Sequence, residues 1–95
     1  MKREEFIIYY LLYAFDAANI KKQNLVEMAI KVEPVTFVRI YNVIQQHDEN
    51  TRTTIISSML KEYKKEEIIE ELSNSFLKDA DSSIHEAIIT HLYKS

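Results

Sequence analysis

The feature that most constrains this chain is its lack of glycine: 95 residues contain none, and only one proline, Pro34. Tight turns between β-strands usually need glycine in a left-handed conformation, so a chain without glycine is poorly suited to a sheet. Phosphate-binding loops of the P-loop and Rossmann types are also excluded, because both are built on glycine. Ile, Glu, Lys and Leu are abundant and helix formers dominate. We therefore expect an all-α protein.

Helical periodicity predicts about six short helices within a single domain that covers residues 1–95. The predicted helices cover Arg3–Ala18 and about residues 24–32, 34–47, 50–63 and 65–76, with a last helix from Ser82 or Ser83 to about residue 94. Capping residues precede or open three of them: Asp48 with Asn50, and the capping boxes Asn24–Glu27 and Ser83–Glu86. The connections are short and polar, as between antiparallel neighbours. The sequence predicts either a compact helical bundle or an array of helical hairpins.

The first helix contains the longest apolar run of the chain, from Phe6 to Phe15. This run is about half the ~20 residues that a membrane span requires, so we expect no membrane association. Its apolar positions almost encircle the helix, which indicates that the helix is either the centre of the core or covered by a partner. Tyr9, Tyr10 and Tyr13 fit the second alternative, because tyrosine is enriched at interfaces, but both alternatives stay open.

Charge and composition disfavour several functional classes. The net charge is -3, and the arginines are Arg3, Arg39 and Arg52, so the concentrated basic patch of a nucleic-acid-binding protein is missing. There is no cysteine, and the three histidines have no metal-ligand spacing, so we expect no metal and no cofactor. No nucleophile–base spacing stands out, so we expect no enzyme and no catalytic residue. The absence of cysteine also fits a reducing compartment, and we expect a cytoplasmic protein.

Two stretches of the chain match at a constant offset of 33 residues, which is a period typical of helical-hairpin repeats. The matched pairs are Asp48 with Asp81, Arg52 with His85, Ile55 with Ile88, Ile56 with Ile89, and Met59 with Leu92. In each unit the aspartate is expected to cap the second helix. The residue four positions later, Arg52 or His85, is expected to lie back over the turn and bond to it.

These residues resemble a HEAT repeat over about residues 35–92. The matching positions in the later copy are Asp81, Ile84, His85, Ala87, Ile88 and Leu92. The chain departs from the family at His85, where arginine is usual, and at Thr51, where an apolar residue is usual. The resemblance implies a protein-interaction scaffold whose second helices receive a partner.

We therefore predict a small non-catalytic protein-binding module: an adaptor, inhibitor or regulator. Its partner would be another protein or a second copy of itself. The predicted contact residues are Tyr9, Tyr10 and Tyr13, with Arg39 and Arg52 as secondary candidates. Two alternatives stay open: a DNA-binding regulator of helix-turn-helix type that uses Arg39 and Asn42, and a homodimeric subunit of a larger complex. The composition, poor in glycine and rich in Ile, Lys and Asn, is typical of AT-rich bacteria and their phages or mobile elements.

Overall fold

The computed structural model describes residues 1–18 and 33–94, together with Gln23 and Glu27. This part of the chain contains five α-helices and no strand, which confirms the all-α prediction. The helices are α1 (Arg3–Ala18), α2 (Pro34–Gln45), α3 (Glu49–Leu60), α4 (Lys65–Asn74) and α5 (Ser82–Lys94). The remaining predicted helix, about residues 24–32 with its capping box Asn24–Glu27, lies outside the described residues except for Glu27.

The first helix is the centre of the core. Helix α1 packs against each of the other four helices, most extensively against α5 and α2. Its run from Phe6 to Leu12 is buried without interruption, and Ala14 and Phe15 are buried as well. A helix with apolar residues on all sides requires cover on all sides, and the surrounding helices supply it. This arrangement matches the central-core alternative of the sequence analysis.

Helix α2 is amphipathic. Phe37, Ile40 and Ile44 point into the core. Val38 recurs at helical spacing with Phe37, Tyr41 and Ile44 in the sequence, but it is exposed. The reason is geometric, since a helix turns about 100° per residue and Val38 is rotated well away from the direction shared by the three buried side chains.

Aspartates precede α3 and α5 and cap them. Asp48 accepts a hydrogen bond from the Thr51 amide at 2.8 Å, and Asp81 accepts one from the Ser83 amide at 2.9 Å. Both were expected from the repeat. The capping box predicted from Ser83 and Glu86 was wrong, because α5 already begins at Ser82 and Ser83 donates to Asp81 from within the first turn.

The ends of the other helices follow the sequence closely. Helix α2 begins at Pro34, where the fixed backbone angle and missing amide hydrogen of proline suit a first turn. Helix α4 ends at Asn74, two residues before Phe76, but Phe76 is still buried and its ring lies 6.2 Å from that of Phe37. None of the described helices combines the length and the apolar character that crossing a membrane would take.

Candidate partner-binding surface

Two of the predicted contact residues, Tyr9 and Tyr10, are fully buried inside the chain. The Tyr9 hydroxyl lies 2.8 Å from Nδ1 of His47, and the Tyr10 hydroxyl donates to the Leu92 carbonyl at 2.6 Å. Tyr10 also stacks on Phe6 with ring centres 5.6 Å apart. Their polar tips therefore join helices within the domain. Contact with a partner stays untested for both, and in this conformation neither offers any exposed surface.

Tyr13 lies in the C-terminal half of α1, and Arg52 of α3 reaches the C-terminal end of that helix. Tyr13 is partly buried against the core. The Arg52 side chain donates from Nε to the Ile44 carbonyl at 3.1 Å and forms an ion pair with Asp16 at 3.1 Å. Arg52 thus ties α3 to the end of α2 and to α1. The repeat predicted a bond from this side chain to the turn itself, whereas the side-chain bonds that the structure describes go to Ile44 of α2 and Asp16 of α1.

Tyr9 and Arg52, two of the predicted contact residues, lie close enough to influence each other electrostatically. Burial raises the pKa of the Tyr9 hydroxyl, and the positive charge of Arg52 opposes that rise. The His47 ring, tilted at 46° to the Tyr9 ring, completes this cluster. The hydrogen bond between Tyr9 and His47 braces the α2–α3 turn against α1, and Arg52 adds its own bonds to Ile44 and Asp16.

Arg39 is the predicted contact residue that reaches the surface most clearly. Its side chain is 55% exposed and forms an ion pair with Glu5 of α1. The hydrogen bond from Arg39, followed by one from the Lys2 amide, lowers the pKa of Glu5. Arg39 is therefore oriented by α1 while half of its side chain remains open to solvent.

Two valines lie on the same outer side of α2 as Arg39. Val35 is 80% exposed and Val38 is 57% exposed. Residues three or four positions apart are neighbours on a helix surface, so Val35, Val38, Arg39 and the exposed Asn42 form one continuous strip. We call this strip the α2 surface. Sequence reasoning found Arg39 and considered Asn42 but missed the valines as surface residues. The available signal was that α2 has more apolar positions than one buried stripe can hold.

A pocket of about 300 Å³ opens between α1, α4 and the start of α2. Its lining includes three apolar side chains and three carboxylates: Ile7, Ile8, Phe76, Glu4, Glu33 and Glu71. We call it the acidic pocket. The Thr36 hydroxyl, also in the lining, donates to Glu33 at 3.3 Å. The Glu71 carboxylate is paired with the Arg3 guanidinium.

The described residues do not assemble a metal site, since no group of three or more histidine, aspartate or glutamate side chains among them is placed to hold an ion. Two histidines have other contacts: His47 with Tyr9, and His85 with the Ser73 hydroxyl at 3.4 Å. Two features of the surface of this part of the chain are a half-apolar strip and an acidic pocket.

Comparisons with known protein families, with curated proteins and with solved structures find no match for this chain.

Proposed function

We propose that this chain is a non-catalytic protein-binding module, an adaptor, inhibitor or regulator acting in the cytoplasm, and that its contact site is the α2 surface. The observation that carries the proposal is the exposure of Val35 and Val38 beside Arg39. Single exposed apolar residues are ordinary on protein surfaces. Two on one helix face beside a half-exposed arginine resemble the centre of an interface, which is more apolar than the rest of the surface and is enriched in arginine, with lysine and glutamate depleted.

Arg39 suits this role because its position is already fixed. The ion pair with Glu5 restrains the guanidinium before any partner arrives. Ordering a long side chain on binding costs about 0.5–1.5 kcal/mol, and a side chain that is already held avoids much of that cost. The two valines would add the favourable burial of apolar area, at about 25 cal/mol per Å².

As part of the proposal, the helices form antiparallel HEAT-like hairpins over about residues 35–92. Two parallel sets of contacts support this. Asp48 and Asp81 each cap the helix that follows, and Arg52 and His85 each hydrogen-bond to the helix that precedes their own. In such arrays, one helix of each pair faces the partner.

The DNA-binding alternative draws less support from the same helix. Arg39 is the one cation of the α2 surface, and it is already paired with Glu5. A surface that binds phosphates needs several uncompensated cations, because affinity arises largely from the release of counterions. We therefore expect no retention on DNA at physiological salt.

Site-specific photo-cross-linking tests the proposal. A benzophenone amino acid is placed at Val38, and in a control at Ser57, which is exposed on α3. Each protein is irradiated in a lysate of the cells that encode it. We expect a defined cross-linked protein from position 38 that is absent from position 57 and is reduced by an added Arg39→Glu change. Identical products from both positions would contradict the proposal, and a product of twice the chain mass would indicate the homodimer instead.

A further inference from the structure

We propose that the acidic pocket receives one arginine or lysine side chain of the partner protein. This inference rests on the proposed function, because the side chain belongs to the protein that the α2 surface binds. The partner would then carry a basic residue that reaches the pocket, while the neighbouring residues of the partner lie on the α2 surface.

The lining of the pocket matches both parts of such a side chain. Lysine and arginine carry a charged head on a stem of methylene groups, and they bury the stem while the head stays among polar groups. Ile7, Ile8 and Phe76 offer apolar surface for the stem. Glu4, Glu33 and Glu71 place carboxylates on the same pocket for the head. A volume of about 300 Å³ lies within the range of pockets that hold small ligands.

The charge balance of the pocket is incomplete within the part of the chain that the structure describes. Arg3 pairs with Glu71, so one of the three lining carboxylates already has a cationic partner. No described cationic side chain pairs with Glu4 or Glu33, and the contact of Glu33 with Thr36 is a hydroxyl hydrogen bond. A second cation would therefore meet two carboxylates that Arg3 leaves uncompensated. Charge-assisted hydrogen bonds of this type are stronger than neutral ones.

The position of the pocket connects it to the α2 surface. Glu33 immediately precedes α2, and Thr36 lies in its first turn. Val35 lies between them in the chain and points outward. One extended partner segment can thus contact the valines and insert a basic side chain beside the start of the helix.

The experiment is an NMR titration of the whole chain, observed through its backbone amides, with three short probe peptides. All three are acetylated and amidated alanine pentapeptides whose central residue is arginine, norleucine or citrulline. Norleucine keeps an apolar stem without the charge, and citrulline keeps the shape of arginine without the charge. We expect saturable shifts at Ile7, Ile8 and Phe76 with the arginine peptide, and binding at least about fivefold weaker with the other two.

Two protein variants assign the binding to the pocket. Glu4→Gln with Glu33→Gln removes two pocket carboxylates, and Glu62→Gln with Glu86→Gln removes two exposed carboxylates that do not line it. We expect the first variant to weaken binding of the arginine peptide at least about fivefold and the second to leave it unchanged. If the first variant does not fold, the comparison of the arginine and citrulline peptides on the wild-type chain still tests whether the pocket binds a positive charge.

Several results would overturn the inference. Equal binding of all three peptides would show that charge plays no part, and an equal loss in both variants would show general attraction to an acidic protein. Tighter binding of spermidine than of the arginine peptide would reassign the pocket to a free polyamine. If the titration shows no binding, this inference is contradicted, but a cross-link at Val38 would still support the proposed function. If the titration succeeds and no cross-link forms at Val38, the α2 surface is contradicted as the contact site, and the inference about the pocket remains.

Discussion

Single polar side chains join the helices of this chain at points where the backbone leaves hydrogen-bonding groups open. The last carbonyl groups of a helix have no partner within it, and the first amides have none either. Tyr10 donates to a carbonyl near the end of α5, and Asp48 accepts from an amide at the start of α3. Arg52 donates to the Ile44 carbonyl near the end of α2, which also accepts from the His47 amide at 3.2 Å. At the residue scale, these side chains therefore act mainly on stability.

Replacing Tyr10 by phenylalanine tests the buried hydrogen bond to Leu92. The change keeps the ring and removes the hydroxyl that donates at 2.6 Å. We expect a loss of about 1–2 kcal/mol in the free energy of unfolding, because a buried bond is lost while the packing is kept. Urea denaturation measures it, and Tyr93→Phe, at an exposed tyrosine, is the matched control with a change near zero. Equal stability of the two variants would show that the Tyr10 hydroxyl contributes nothing.

Substitutions at Asp48 separate its capping hydrogen bond to α3 from the effect of its negative charge. Asparagine accepts the same hydrogen bond from the Thr51 amide, whereas alanine cannot. We expect Asp48→Ala to lower Tm by roughly 4–8 °C, and Asp48→Asn to change it much less. Thermal unfolding followed by circular dichroism at pH 7 gives both values. If the asparagine variant fell as far as the alanine variant, the charge rather than the cap would be the stabilising feature.

At the scale of helices, α1 and α2 show how differently apolar residues are used in this fold. Helix α1 is surrounded, so almost every apolar position on it is buried. Helix α2 has one buried side, Tyr41 and Val43 are partly buried beside it, and Val35 and Val38 are exposed on the outer side. The apolar excess of α2 therefore serves packing on one side and, in our proposal, binding on the other.

A pair of substitutions within α2 separates these two uses. Phe37→Ala removes a buried ring and should cost about 3–5 kcal/mol of the free energy of unfolding. Val38→Ser changes an exposed position where both residues have similar helix propensity, so we expect a change within about 0.5 kcal/mol. Chemical denaturation measures both, and Val38→Ser should also reduce the cross-linking partner's affinity. A large loss of stability from Val38→Ser would place this valine in the core and remove it from the proposed surface.

The boundaries and caps of the helices were largely predictable from the sequence. Helix α1 spans the predicted residues, α2 begins at Pro34, and both aspartates cap as the repeat suggested, since these features depend on local chemistry. The orientation of Val38 was not predictable in the same way. It depends on which side of α2 meets α1, and that is decided by packing between distant segments rather than by local propensity.

The candidate site was predicted less well, for a related reason. Tyrosine is common both at interfaces and at the edge of a core, so its residue type could not place Tyr9 and Tyr10, and only the packing of α1 among four helices shows them buried. The acidic pocket joins Glu4, Glu33 and Glu71 from distant parts of the chain. No spacing in the sequence brings these three together, so the pocket could only be found in three dimensions.

At the scale of the whole molecule, acidic and alkaline conditions should destabilise the fold through different groups. Asp48 and Asp81 have lowered pKa values because the side chain and amide of Thr51, and those of Ser83, bond to their charged forms. The ion pair with Arg39 lowers the pKa of Glu5 in the same way. Such groups bind protons more weakly when folded, so their stabilising effect is complete above their unfolded pKa and is lost as the pH falls through the folded pKa. We therefore expect Tm to fall below about pH 4.

Tyr9 contributes to the alkaline side with the opposite sign. Its pKa is raised by burial, so the folded chain holds this proton more tightly than the unfolded chain does. The stabilising effect is complete below the unfolded tyrosine pKa, near 10, and is lost as the pH rises through the folded value. Thermal unfolding between pH 2 and 11 should show both declines. The double variant Asp48→Asn, Asp81→Asn should flatten the acid side alone, and Tyr9→Phe the alkaline side alone. If the acid decline kept its full slope in the double variant, carboxylates other than the two caps would set the acid limit of this fold.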